Sequence, residues 1–148
     1  MAKAPPLQFF CERMFFVSKS AIYTTNTASP AVAVGGVIPV GTTSRRYGCN
    51  LAQDGNTITL TGRGYYLIDI SATVAPDAAG TVSITAQKDG VAIIGATASE
   101  TAAADATVNL GITSIVRNVC DCDSSILSLV LGGVASTISN LAVTVEKL

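Results

Sequence analysis

The chain of 148 residues is one domain long, and a domain of this size buries about 70% of the surface that its unfolded chain would expose. Its formal net charge is -1 and its basic residues are scattered, which excludes the electrostatic footprint of a nucleic-acid-binding protein. Hydrophobic residues make up 49% of the sequence and charged residues only 13%, so we expect an oligomer with buried faces rather than a monomer.

The first 18 residues differ in composition from the rest of the chain. All four Phe lie here, together with both Met. An aromatic cluster beside a β-rich body is a candidate docking element, because buried aromatic side chains dominate such contacts. Alternatively, the segment folds back onto its own domain. The docking hypothesis assigns residues 1–18 to an anchoring extension and residues 19–148 to a single domain, with these anchors: Phe9, Phe10, Met14, Phe15 and Phe16.

The same segment gives no sign of a membrane span or a secretory signal. Its apolar stretch from Phe9 to Val17 is interrupted by Glu12 and Arg13 and is too short to cross a bilayer. A signal peptide needs an unbroken apolar stretch followed by small residues at a cleavage site. We therefore expect no membrane insertion, and folding in a cytoplasm.

From Ser20 onward, short runs of alternating apolar residues are separated by turn residues, as is typical of an antiparallel sandwich or barrel. Asp54-Gly55 and Asp89-Gly90 supply the positive φ angles of tight hairpin turns. Thr97–Ala106 is rich in Ala, but its Thr and Ser favour a loop or an edge strand over a helix. The predicted strands are Ala21–Thr25, Val32–Val40, Arg45–Leu51, Thr57–Thr61, Tyr65–Val74, Thr81–Lys88, Val91–Ala98, Ala106–Val116, Ile126–Leu131 and Ser136–Glu146.

Several of these strands carry a family resemblance. Gly64–Ser71, with the sequence GYYLIDIS, resembles the Gly-x-Tyr strand of tumour necrosis factor (TNF) and C1q-like domains. Ala31–Pro39, Asn56–Leu60 and Ile138–Val145 resemble parts of the C-terminal domain of collagen-like spore-surface glycoproteins, although no collagen-like repeat stands ahead of them. The resemblance covers residues 20–148. It implies an all-β, antiparallel jelly-roll sandwich that forms a homotrimer around a threefold axis.

A compact domain of this type with a short N-terminal extension is also similar to the head-fibre and decoration proteins of tailed bacteriophages. This resemblance implies a capsid decoration trimer at the virion surface, assembled in the host cytoplasm and bound to the major capsid protein or another virion protein. Two alternatives stay open. One is an adhesion module of the C1q and TNF type on a bacterial cell or spore surface, and the other is a glycan-binding jelly roll.

The predicted trimer interface rests on the alternation of side chains along strands. Tyr66, Ile68 and Ile70 share one face of their strand and are assigned to the core, whereas Tyr65 and Leu67 share the other. Large apolar side chains on an outer face favour a subunit contact. The last strand should also present one face to the neighbouring subunit, and the interface prediction is Tyr65, Leu67, Leu141 and Val143.

No catalytic or cofactor site is visible in the sequence, so we expect no enzyme activity, cofactor or metal. The chain has no His, which removes the commonest general base and any Ser-His-Asp or Cys-His pair. Asp121 and Asp123 are the only close acidic pair, and a solvated turn explains them more simply than a weak calcium site. The four Cys match neither a zinc site nor a disulfide-rich scaffold, so buried free thiols are predicted.

Overall fold

The computed structural model describes residues 19–148, and all regular secondary structure in this range is β-strand. The predicted all-β class is therefore confirmed. The strands are β1 (Ser20–Asn26), β2 (Ala31–Val32), β3 (Thr42–Tyr47), β4 (Leu51–Asp54), β5 (Thr57–Thr61), β6 (Gly64–Pro76), β7 (Gly80–Lys88), β8 (Val91–Ala102), β9 (Val108–Asn118), β10 (Ser124–Gly132) and β11 (Ser136–Lys147). Within this range no helix is long and apolar enough to cross a membrane.

The strands form two antiparallel sheets that enclose one core. The first sheet has the order β3-β1-β11-β6-β9, with the short β2 paired to β11, and the second has the order β4-β5-β10-β7-β8. Strands that are adjacent in sequence often lie in different sheets, so the connections cross repeatedly from one sheet to the other. This arrangement is the jelly-roll sandwich that the sequence resemblance implies.

Alternation along the strands decides which side chains enter the core. In β6 every second residue from Tyr66 to Pro76 is buried, and the residues between them are exposed or partly buried. Large apolar side chains thus fill the space between the sheets, and burial of this surface is the main force that stabilises the fold. The largest fully buried side chains are Tyr66, Ile22, Ile38, Leu51, Ile58, Leu60, Ile68, Ile70, Ile84, Leu129, Leu131 and Ile138.

Two predicted strands differ from the structure. The predicted strand Val32–Val40 is mostly a loop that retains β2 and one isolated bridge, Val37 to Val130. The predicted strand Arg45–Leu51 is split into β3 and β4 around Gly48, whose φ is +80°. A side chain at Gly48 would meet the Ser20 hydroxyl at 2.2 Å, so this sharp turn requires glycine.

Both ends of the described chain lie at one end of the sandwich, which we call the terminal pole. Ser20 pairs with Lys147 there, and the amide of Leu148 donates to the carbonyl of Tyr65 at 2.9 Å. The β5–β6 and β9–β10 turns lie at the same pole, where the Gly62 amide donates to the Asp123 carbonyl at 2.9 Å. The β7–β8 hairpin at Asp89-Gly90 lies beside them, since the Asp89 amide donates to the Ile126 carbonyl at 2.8 Å.

Candidate functional site: two exposed apolar surfaces and a polar pole

The first candidate surface is the side of the first sheet that faces away from the core, which we call the outer face. Strand register places its residues in rows across four strands. One row is Ala21, Glu146, Leu67 and Ile115, and the next is Tyr23, Thr144, Asp69 and Thr113. A third row contains the small residues Thr25, Ala142, Ser71 and Gly111.

Apolar and aromatic side chains collect at the terminal-pole end of the outer face. Tyr65 is 51% exposed and Ile115 is 55% exposed, and Tyr23 and Tyr47 are exposed as well. The guanidinium of Arg117 lies 5.5 Å from the centroid of the Tyr65 ring, within cation–π range. Tyr65 and the partly buried Leu67 thus lie on an outward surface, as predicted, while their role in a trimer stays a prediction.

Leu141 and Val143 do not belong to this surface. Both are 0% exposed within the single chain and belong to the core between the sheets. The prediction that they form a subunit interface was therefore wrong, because this side of β11 faces the core. Alternation separates the two faces of a strand but does not say which face is inward, and here the larger side chains face the core. The outer face of β11 carries Ala142 and Thr144 instead.

The second candidate surface is an apolar groove along the edge where β8 meets β9, which sequence reasoning missed. Ile94 is 99% exposed and Val91 is also exposed. The groove has a volume of about 380 Å³ and is lined by Lys88, Val91, Ala92, Ile93, Ile94, Ile115, Val116 and Arg117. Its signal in the sequence was the uninterrupted apolar run Val91–Ile94, because a half-buried strand would alternate with polar residues.

A β-bulge shapes this groove. Thr85 of β7 pairs with Thr97 of β8, whereas Gln87 pairs with Ala92, so four residues of β8 stand opposite one residue of β7. Gly95 within the bulge has a φ of +81°. The extra residues turn Ile94 away from the sheet and into solvent. A bulge of this kind re-aims a side chain, and here it exposes a large apolar one.

The terminal pole contains a buried polar network. The side-chain Nδ2 of Asn118 donates to the Leu60 carbonyl at 3.2 Å, and its Oδ1 accepts from the Ser125 hydroxyl at 2.8 Å. The Tyr66 hydroxyl lies 2.8 Å from the carbonyls of both Thr61 and Gly62. Burial, with a further contribution from the negative charge of Asp121, raises the pKa of Tyr66 to about 12. These contacts fix the loops that join the two sheets.

The Cys residues differ from the sequence prediction. Cys120 and Cys122 form a disulfide in the β9–β10 turn, and Cys49 is also disulfide-bonded, so the predicted free thiols are wrong for these three. The prediction failed because residues 120 and 122 lie in a turn, where backbone curvature brings their side chains together.

The acidic pair in the same turn has structural contacts. The carboxylate of Asp123 accepts hydrogen bonds from the backbone amides of Val119 at 3.0 Å and Cys120 at 3.1 Å. The carboxylate of Asp121 accepts one from the backbone amide of Arg63 at 3.4 Å. Ligand atoms of Cys120, Cys122 and Asp123 lie within 4.8 Å of one another. With both sulfurs in a disulfide, however, this group offers no thiolate to a metal. The contacts agree with the interpretation of the pair as a turn.

The predicted anchors Phe9, Phe10, Met14, Phe15 and Phe16 lie outside the described residues. The described chain begins at Lys19, at the terminal pole. Any contact made by residues 1–18 with another protein therefore stays a prediction.

No protein-family model and no curated protein sequence matches the chain. Among solved structures, murine APRIL, which is TNF-like, matches with a TM-score of 0.69 at 13% identity over 88% of this chain and 99% of APRIL. The globular domain of zebrafish complement 1qA matches with a TM-score of 0.59 at 8% identity, over 86% and 95%. Vertex protein P5 of phage PRD1 matches with a TM-score of 0.54 at 16% identity, over 87% and 96%. The chain therefore has the TNF/C1q-like jelly-roll fold that its sequence resembles.

Proposed function

We propose that this chain is a structural protein of a bacteriophage virion, a homotrimeric capsid decoration or head-fibre module without enzymatic activity or cofactor. The observation that carries the proposal is the pair of exposed apolar surfaces, the outer face and the β8–β9 groove, on a sandwich with few charges. Isolated apolar residues are common on protein surfaces, but clusters of exposed apolar side chains are typical of interaction sites. Two such clusters on one small domain favour permanent assembly.

The two surfaces are different patches, so a contact between them is heterologous. In such an arrangement the groove of one subunit packs on the outer face of the next, and three copies close the ring. Ile94 and Val91 of one subunit then cover Tyr23, Tyr65 or Leu67 of the neighbour. Ile115 lies on the outer face and also lines the groove, so the two surfaces are adjacent at that edge.

The proposed site of attachment is the terminal pole. Lys19, the first described residue, lies there, and in the proposed arrangement the opposite pole faces outward. The structural similarity to phage PRD1 vertex protein P5 supports a place on the virion, with the major capsid protein or another virion protein as partner. We infer that Phe9, Phe10, Met14, Phe15 and Phe16 bind that partner in three copies at once, which raises the overall affinity.

The trimer is tested by sedimentation and light scattering on the full-length chain at micromolar concentration. We expect a trimer for the unmodified chain and loss of assembly for Leu67→Asp and Ile94→Asp, because each buries a charge in an apolar contact. Val34→Asp is the matched control, since Val34 is exposed but lies outside both surfaces. A monomeric unmodified chain, or Leu67→Asp and Ile94→Asp variants that both stay trimeric and as heat-resistant as the Val34→Asp control, would contradict the proposal.

Mixing the two variants tests the heterologous arrangement itself. The Ile94→Asp chain keeps an intact outer face and the Leu67→Asp chain keeps an intact groove. An equimolar mixture should therefore form heterodimers through one intact contact, although neither variant assembles alone. A mixture that stays monomeric contradicts the pairing of these two surfaces.

Attachment is tested in phage particles that carry the full-length chain. Replacing Phe9, Phe10, Phe15 and Phe16 with Ala should leave the trimer folded and remove it from purified particles, as judged by electron microscopy and immunoblotting. Variants that still join the particle, or that no longer fold, would instead place these aromatics in the chain's own domain.

A further inference from the structure

The β9–β10 turn carries a disulfide that the proposed assembly function does not use. It joins Cys120 and Cys122, only two positions apart, with 5.2 Å between their Cα atoms. A disulfide that closes so short a loop restricts the unfolded chain far less than one that closes a long loop. Its contribution to stability is therefore small, which leaves a chemical role open.

The two sulfur-bearing residues have different surroundings. Cys122 is exposed, whereas Cys120 is partly buried. The backbone amide of Cys122 lies 3.1 Å from the Sγ of Cys120 and donates a hydrogen bond to it. An amide that donates to a sulfur stabilises the thiolate that forms when the disulfide opens, and a better-stabilised thiolate is a better leaving group. The surroundings thus make Cys122 the accessible sulfur and Cys120 the leaving group.

The turn does not depend on the disulfide for its shape. The Asp123 carboxylate holds the amides of Val119 and Cys120, and the Asp123 amide donates to the Cys120 carbonyl at 3.0 Å. The Gly62 amide donates to the Asp123 carbonyl and ties the turn to the neighbouring β5–β6 turn. The backbone therefore keeps Cys120 beside Cys122 when the bond between their sulfurs is broken.

We propose that this disulfide is a thiol-exchange site at which an external thiolate becomes covalently attached to Cys122. The thiolate attacks the Sγ of Cys122, a new S–S bond forms, the bond to Cys120 breaks, and Cys120 leaves as a thiolate. The electrons balance within this step, because one disulfide and one thiolate give one mixed disulfide and one thiolate. A second thiolate can attack the external sulfur, releasing the external disulfide and leaving both Cys reduced.

The proposal is tested on the full-length chain with reduced glutathione as the small-thiol probe and a single-cysteine protein as the protein-thiol probe. After an acid quench and alkylation of free thiols, mass spectrometry of peptides locates each adduct. We expect the added thiol on Cys122, with alkylated Cys120, at least about tenfold more often than the reverse. Adducts divided equally between the two Cys, or no adduct with either probe, would overturn the proposal. Which probe reacts identifies the source of the thiol.

A pair of single substitutions separates this role from a structural one. In Cys122→Ser the amide of residue 122 still donates to the Cys120 sulfur, whereas in Cys120→Ser no amide of residues 19–148 donates to the Cys122 thiol. The pH dependence of alkylation by iodoacetamide should therefore give a lower thiol pKa for Cys120 than for Cys122. Equal values, or the opposite order, would show that the hydrogen bond does not select the leaving group.

Discussion

Substituting Leu141 tests which side of the last strand, β11, faces the core. Leu141 is 0% exposed within one chain, so the cost of Leu141→Ala arises inside the subunit rather than between subunits. The substitution removes buried methyl and methylene groups and leaves a cavity that the surrounding core fills only in part. For buried leucines this costs about 2–5 kcal/mol of unfolding free energy. Since β11 is bordered by β1 and β6 on both sides, collapse of the site is restricted, and we expect the upper half of that range.

The measurement is equilibrium unfolding in guanidinium chloride at several concentrations of the full-length chain. Concentration matters because assembly stabilises the folded state by mass action. Asn140→Ala is the matched control, since it lies on the same strand but is exposed, and we expect it to change stability by less than about 0.5 kcal/mol. A loss for Leu141→Ala that is equal at every concentration indicates a core position.

A different result would show that Leu141 lies in the subunit interface rather than in the core. In that case Leu141→Ala would leave the stability of the dissociated subunit within about 0.5 kcal/mol of the unmodified chain while it weakened assembly. Sedimentation of the same samples distinguishes the two outcomes, because a core defect lowers the unfolding midpoint without changing the mass of the folded species.

Three further predictions concern stability. The pKa of Tyr66 is raised from 10.0 to about 12 in the folded chain, so the stability that this shift contributes is fully present below pH 10 and is lost as the pH rises through 12. Tyr66→Phe should therefore make the loss of stability at alkaline pH less steep, as measured by circular dichroism. Gly133→Ala should prevent folding or lower the melting temperature strongly, since its Cβ would lie 1.9 Å from the Thr81 carbonyl oxygen. Gly35→Ala is the control at a similar φ; its Cβ meets nothing within 4 Å, and we expect it to lower the free energy of unfolding by only about 1 kcal/mol. Asn118→Ala should cost about 1–3 kcal/mol in denaturant unfolding, because it leaves buried hydrogen-bonding groups of two strands without partners.

The sequence predicted the strands best where alternation and turn chemistry agree. The hairpin at Asp89-Gly90 is confirmed, with both residues at positive φ and Lys88 opposite Val91. Prediction failed at Val32–Val40, where Ile38 and Val40 are buried although they belong to no strand. Apolar content reports burial, and a loop that covers one end of a core is as apolar as a strand. Only the tertiary structure separates the two.

The candidate site could be predicted in part. The parity of Tyr65 and Leu67 against the buried Tyr66 correctly placed them on an outward surface. The groove could not be predicted from the sequence, because it lies between two edge strands of different sheets and depends on a bulge in β8. Neither the pairing of the strands nor the position of the bulge follows from the local sequence. The disulfide was missed for a related reason. Whether residues 120 and 122 face each other depends on the turn between β9 and β10, and the spacing of the two Cys alone does not determine that turn.

The distribution of side-chain size over the outer face connects the proposed assembly to the proposed attachment. Across the sheet, the row at Thr25, Ala142, Ser71 and Gly111 is small, while Tyr65, Leu67 and Ile115 are large and lie toward the terminal pole. In the proposed trimer the small row permits close approach of the neighbouring subunit, and the large side chains supply most of the apolar contact. Apolar contact is then concentrated at the terminal pole, where Lys19, the first described residue, also lies. The proposed attachment through residues 1–18 would then act in three copies at once, so that weak individual contacts add up to one stronger attachment.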